Sequence, residues 1–294
     1  MSEYVIATSS TADLPRTWLE ENGVPFISYS YIQDGKVFED DCREESRQEL
    51  YESMRRGARF KTSMINEEKY IEFFREILKT GQDLIFLDMS RKMSVSYESS
   101  VRAAEKVRQE FPGQRLYLMD TRCISGGLGL LVMEMVKRKN QGAGYDDVIA
   151  WGEENRLKIA HRFTVDDLNY LKEGGRVSNA AALVGSLLGI KPVLYVPDEG
   201  TLDVVKKSRG RKAALKMIIE SSVNDLKESG ADGKSVMILQ ADCREDAGTV
   251  RDAIRAACPQ IGEISITNLG VVIGAHCGPG LLTVFYLCNE RRPV

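Results

Sequence analysis

A chain of 294 residues exceeds what one core usually serves, since domains run to roughly 100–200 residues, and its length predicts two. Its 43% hydrophobic and 28% charged residues fit a soluble globular protein. Its 43 acidic against 40 basic residues leave no excess charge to draw it to nucleic acid or an anionic membrane. The cysteines (Cys42, Cys123, Cys243, Cys258, Cys277, Cys288) are scattered, with no CxxC and no histidine at zinc-ligand spacing, which argues against a metal centre or a disulfide framework.

Residues 4–8 read as a strand and 25–29 as a second. Helical periodicity follows at 44–56 and at 67–79, the latter with Asn66 placed as its N-cap. The run 83–88 (DLIFLD) has the unbroken apolar character of a buried strand, and a helix over 97–110 stops before Pro112 and Gly113. A strand at 115–120 (RLYLMD) and helices at 126–139 and 146–157 complete this half. Strands alternating with helices of this length predict an α/β domain with a doubly wound parallel sheet, in which ligands sit beyond the carboxyl ends of the strands.

The rhythm then changes. An extended segment at 162–165 precedes short helical patterns at 165–171 and 178–188, and 191–196 with 201–207 reads as a hairpin around Asp198-Glu199-Gly200. A long helix (211–228), a strand (235–240), a helix (246–257) and strands at 263–268 and 281–288 follow. Hairpins mixed with helices predict an α+β second domain. The expected division is 1–158 and 159–294, with the ligand between the two domains.

The first ten residues hold Glu3 and only a short apolar run, unlike a signal peptide. The most apolar stretch, 180–194, is broken by Gly185, Gly189, Lys191 and Pro192, short of the roughly 20 residues a membrane span needs. The expectation is a cytoplasmic protein without stable membrane anchoring.

Phosphate loop, GxSxG elbow and HExxH signatures are absent, and two histidines leave little material for acid–base networks. His161, near the domain boundary, reads as structural; His276, in a glycine-rich turn, reads as a site residue. Hydroxyl- and glycine-rich segments stand out at 8–11 (TSST), 61–63 (KTS), 90–100 (SRKMSVSYESS), 120–129 (DTRCISGGLG) and 270–280 (GVVIGAHCGPG). The third and fourth follow strands and open helices, where backbone N–H groups favour an anion; plain helix capping explains the same residues taken singly.

Several motifs in order resemble the DegV family. Residues 8–14 (TSSTADL) are similar to its TDSTADL, Thr62-Ser63 to its TS pair, and Ser94 with Tyr97 to its LSGTY. VDDLNYLKEGGR (165–176), GIKP (189–192), SRGRK (208–212) and IGAHCGPG (273–280) extend the likeness along nearly the whole chain. Ser9 stands where the family carries Asp, Arg91-Lys92 replaces a small Ser-Gly pair, and Val95 replaces a Gly.

The resemblance implies a long-chain fatty acid buried between the domains, with no other cofactor and no metal. Carried over by position, Thr62 and Ser94 hold its carboxylate, Arg176 and His276 complete the polar network, and Ser63, Ser96 and Gly274 support it. The tail would dominate affinity, because about fourteen buried methylenes at about 0.8 kcal/mol each contribute roughly 11 kcal/mol before ordering costs. Leu128, Leu131 and Met135 on one helix, and Leu183, Leu187 and Leu188 on another, are the expected tunnel lining.

The family's carriers pass their acid to a separate fatty acid kinase, which makes an acyl-phosphate for phospholipid synthesis, so the chain is expected to be a lipid-binding, non-catalytic subunit. The basic run Lys206, Lys207, Arg209, Arg211 and Lys212 is its expected docking surface. Two other readings stay open: an enzyme acting on an acyl or phosphorylated small molecule through His276 and Arg176, and a carrier of a different carboxylate.

Overall fold

The computed structural model describes residues 4–177 and 189–293. Strand β1 (Tyr4–Ser9) ends in a left-handed turn at Asp13, followed by α1 (Arg16–Glu21) and β2 (Phe26–Ile27). A hairpin of β3 (Ser30–Gln33) and β4 (Lys36–Glu39), then α2 (Glu44–Arg55), leads to β5 (Phe60–Ser63), which returns antiparallel to β3. In α3 (Glu67–Leu78) the N-cap is Asn66, whose side-chain oxygen accepts from Lys69 N–H at 2.9 Å. Then come β6 (Asp83–Asp88), α4 (Ser96–Glu110), β7 (Leu116–Asp120), α5 (Gly126–Asn140) and α6 (Tyr145–Asn155).

Strands β2-β1-β6-β7 form a wholly parallel sheet. Every residue of β1 and β6 is buried, which is why both read as continuous apolar runs rather than alternating ones.

The second sheet starts at β8 (Ile159–Thr164) and, after α7 (Leu168–Glu173), continues with β9 (Ile190–Tyr195) and β10 (Asp203–Arg209). It is completed through α8 (Arg211–Glu228), β11 (Val236–Gln240), α9 (Arg244–Ala257), β12 (Ile264–Asn268), α10 (Val271–Cys277) and β13 (Leu282–Leu287). Its order is β10-β9-β8-β13-β11-β12, antiparallel except for the β11–β12 pair. Leu282, Val284 and Tyr286 point to one face, with Ile218, Leu226, Val250 and Ile254 of α8 and α9 in the same core. Phe163, Met237 and Phe285 point to the other and join the core of the first sheet. The mixed α/β architecture, a parallel-sheet domain with a second α+β domain, is the one the sequence predicts.

One core therefore runs between the two sheets, and α5 lies in it. A Cβ on Gly127 would stand 2.1 Å from His161 Nε2, so only glycine lets the start of this helix press on β8. A second tie is Arg47 of α2, which is 1% exposed. Its guanidinium donates to the carbonyls of Asp13 (3.2 Å), Leu14 (2.9 Å) and Asn268 (2.8 Å), stapling the TSSTADL turn to the end of β12.

Two features depart from the sequence expectation. The β3–β4–β5 sheet was not anticipated, because its strands are four residues each and only partly buried or exposed. The 270–280 segment, read as a turn from its glycines, contains α10, so His276 sits on a helix. The helix expected at 178–188 lies outside the described residues.

Candidate functional site

A cavity of about 330 Å³ opens where the β6–α4 loop, β5, α7 and α10 converge, beyond the carboxyl end of β6. Thr62, Ser63, Ser94, Arg176 and His276 all line it. Thr62 is carried by the central pairing of the small sheet, opposite Tyr31. Its hydroxyl lies 2.8 Å from His276 Nε2. Behind the ring, a Cβ on Gly174 would come within 2.4 Å of Nδ1, so the glycine ending α7 leaves the imidazole its place. Burial, and then the neighbouring Arg176 guanidinium, push the His276 pKa down to about 4. The ring is neutral at physiological pH.

Ser94 is held from three sides. Tyr29 Oη donates to its Oγ at 3.3 Å, the Ser96 N–H donates to it at 3.1 Å, and its own hydroxyl reaches Ser96 Oγ at 2.9 Å. Ser96 in turn accepts from Ile65 N–H at 3.0 Å and is fully buried, so it positions Ser94. Gly274 is elsewhere: it packs against Leu50 and Tyr51 of α2, on the side of α10 turned from the cavity.

Arg176 donates through Nε to the Met93 carbonyl at 3.4 Å, and its guanidinium also reaches the Gly174 carbonyl. Among the described residues it has no carboxylate partner, so its charge is free to act on an anion in the cavity. The two cations that depart from the family pattern divide. Arg91 is tied to Glu98 at 2.8 Å, while Lys92, exposed on the rim, has no ion pair among the described residues.

Beneath this mouth lies a smaller apolar chamber of about 50 Å³. Ile124, Leu202, Ile273 and Cys277 border both cavities, and Phe163 and Phe285 of the second sheet form the floor. The expected lining is placed differently. Leu128, Leu131 and Met135 are fully buried core residues of α5 and border neither cavity; Met135 packs on Gly152 of α6. Leu183, Leu187 and Leu188 lie outside the described residues. The missed lining residue with a signal was Ile273, which belongs to the IGAHCGPG motif itself.

His161 also borders the chamber, but both its nitrogens are used. Nε2 accepts from Ile124 N–H at 3.1 Å, so the proton sits on Nδ1 and is donated to the Ile159 carbonyl at 3.0 Å. Burial holds its pKa well below the usual range, in keeping with a structural role.

Ser9 has a local explanation. Its hydroxyl donates to Asp88 Oδ1 at 2.8 Å, so the carboxylate that the family motif carries at position 9 stands here on the neighbouring strand β6. Of the basic run, Arg209 and Lys212 are exposed. Arg211 is not free for docking: its Nε lies 2.8 Å from Asp246 and its Nη1 3.6 Å from Asp166.

Fold and site together define an α/β protein with a mouth lined by hydroxyls, His276 and Arg176 above an apolar chamber between two sheets. The model of the DegV family, described as uncharacterised protein, matches residues 3–289, and the chain belongs to that family. A DegV domain-containing protein of Clostridium perfringens is 36% identical over 294 residues, covering all of both chains. Among solved structures, a DegV lipid-binding protein from Thermotoga maritima matches with a TM-score of 0.83 at 26% identity, over 99% of this chain and 100% of its own. A fatty-acid-binding DegV family protein from Thermus thermophilus matches with a TM-score of 0.87 at 28% identity, over 98% of this chain and 100% of its own.

Proposed function

We propose that this protein binds a long-chain fatty acid, with the carboxylate at Thr62 and Ser94 and the tail in the chamber below. The observation that carries this is the adjacency of the two cavities: a mouth bearing Thr62, Ser94, Arg176 and His276 shares Ile124, Leu202, Ile273 and Cys277 as a wall with a space whose surface is apolar. The chamber of about 50 Å³ takes only a few methylenes as it stands, so a long tail must open it further as it enters. The fatty acids and lipid bound by the Thermus and Thermotoga relatives support the same ligand class.

The head-group chemistry favours carrying over turnover. A base that activates Thr62 would have to accept a proton, and His276 resists that: its pKa is about 4 and its neighbour is a cation, not a carboxylate. Neutral donors hold a carboxylate without the bidentate neutralisation of an arginine, leaving it nucleophilic enough to attack a phosphoryl donor. The acid is accordingly presented to a partner fatty acid kinase for acyl-phosphate formation, feeding phospholipid synthesis in the cytoplasm. No helix among the described residues is long and apolar enough to cross a membrane.

Native mass spectrometry of protein purified from bacterial cells tests the ligand: an adduct of fatty-acid mass is expected, and a reproducibly bare protein that takes up no added palmitate rejects the proposal. Turnover of an acyl ester by the isolated protein, lost in His276→Ala, would establish the enzyme instead.

A further inference from the structure

A chamber of about 50 Å³ has to yield somewhere to a long tail, and most of its wall is firmly held. Phe163, Thr283 and Phe285 belong to β8 and β13, each paired on both sides within the second sheet. Ile273 and Cys277 ride on α10. The Leu269 N–H donates to the Gln240 carbonyl, and the Leu281 carbonyl accepts from Ala241 N–H, both at 2.9 Å. The Ile124 N–H is bound by His161, and the Ser125 hydroxyl by Asp13.

Val196 and Leu202 are held differently. They flank the turn at 197–201, where Pro197, Asp198 and Gly200 supply the turn chemistry between β9 and β10. Strand β10 is the outer strand of its sheet and pairs on one side only. Its ladder with β9 shifts register between Val204 and Lys206, just beyond Leu202, and an irregularity there lets an outer strand bend. The turn is tied down through side chains. Arg122 Nη1 donates to the Asp198 carbonyl and Arg291 Nη1 to the Pro197 carbonyl, each at 3.1 Å. Gly200, at φ +79°, lies so near the first domain that a Cβ there would stand 2.2 Å from Ser90 Oγ. Ser90 Oγ in turn accepts from Lys92 N–H at 3.3 Å, at the root of the loop that carries Ser94.

We propose that the β9–β10 turn is the lid of the fatty-acid site: it swings out about the irregularity at Val204–Lys206 to admit the tail and closes on Ser90 and Arg122, with Leu202 as its inner face. This rests on the fatty-acid reading and adds its moving part. Leu202 borders both the mouth and the chamber, so its withdrawal opens one space to the other. Single hydrogen bonds from partly exposed side chains such as Arg122 break more readily than a strand pairing, in which several bonds are lost together. The lid therefore moves while β9 stays paired with β8. On closing, Leu202 packs on the tail and Gly200 settles again on Ser90, beside the loop that holds the head group.

The signature of a lid is kinetic. Opening precedes both entry and escape, so a weaker latch raises both rate constants together and leaves their ratio, the affinity, nearly alone. A wall that only packs on the tail changes escape and affinity instead. Stopped-flow uptake of cis-parinarate by the full chain, and its displacement by excess palmitate, measure the two rates. Arg122→Ala removes a hydrogen bond to the turn and should raise both by about five- to tenfold, with the dissociation constant changed less than about twofold. Gly200→Ala sets a methyl group against Ser90 and props the turn open, so it should act the same way. It also covers the case in which Arg122→Ala does not fold. Unchanged rates in either folded variant, or faster release with affinity lost in proportion, overturn the lid. Absence of cis-parinarate and palmitate binding by wild type overturns the fatty-acid reading instead.

Discussion

Thr62 Oγ1 and His276 Nε2 meet at 2.8 Å across 214 positions of sequence, joining the small antiparallel sheet of the first half to α10 of the second. Because the imidazole is neutral, the pair has one O–H and one ring nitrogen to share, and an arriving carboxylate can take the hydroxyl proton as its hydrogen bond. Thr62→Ala removes that donor and leaves a buried ring nitrogen without its partner. A charge-assisted bond of this kind is worth about 1.5–3 kcal/mol, so palmitate binding should weaken roughly 10- to 150-fold. Isothermal titration with the variant, alone and combined with Ser94→Ala, measures it; a change below about twofold in the double variant would remove both residues from the head-group site.

The same histidine should leave a mark on stability. Its folded pKa, about 4, lies below the 6.5 of the unfolded chain. Between those values the unfolded state binds a proton that the folded state refuses, so stability falls as pH drops from 6.5 towards 4 and the loss levels off below. Asp13 acts in the opposite sense: burial raises its pKa from 3.8 to about 7, so its contribution declines as pH rises through that range. The His276 share is therefore seen only by difference. His276→Gln should flatten the acid side of the curve, by at most roughly 3 kcal/mol between pH 6.5 and 4. Urea melts of both proteins at matched pH provide the check, and parallel curves would contradict the depressed pKa.

The wall shared by mouth and chamber makes a separate prediction about the tail. Ile273 borders both spaces, so Ile273→Trp should obstruct the tail while leaving Thr62 and Ser94 in place. The loss should grow with chain length, by up to about 0.8 kcal/mol for each methylene excluded. Competition by octanoate and palmitate against a fluorescent fatty acid, with thermal melts to verify folding, reads this directly. An equal loss for both acids would mean that the tail runs elsewhere.

How far the sequence carried can be judged at individual residues. β6 and the N-cap of α3 were legible because an unbroken apolar run and an Asn before a helical period are local signals. The pairing of Thr62 with His276 was not derivable from either residue's surroundings; their presence in one site came from the family resemblance, and the structure supplies the contact. Leu128, Leu131 and Met135 are buried and border neither cavity as it stands, because an apolar helix face turned to core reads in sequence like one turned to a tunnel.

The basic run now divides into residues with different expected outcomes. Arg209 and Lys212 are exposed and carry no ion pair among the described residues, which suits a surface for an acidic partner. Arg209→Glu with Lys212→Glu should lower turnover by a partner kinase, more strongly at low ionic strength, while palmitate affinity stays as it was. Arg211→Glu should behave otherwise. It sets a third negative charge beside Asp166 and Asp246, both of which Arg211 now faces, so thermal stability should fall along with any effect on turnover. Kinase-coupled assays and melting curves on the two sets separate docking from scaffolding. Unaltered turnover in the Arg209, Lys212 pair would move the docking surface off this strand and helix start, leaving the rim around Lys92 as the cationic surface next to the presented head group.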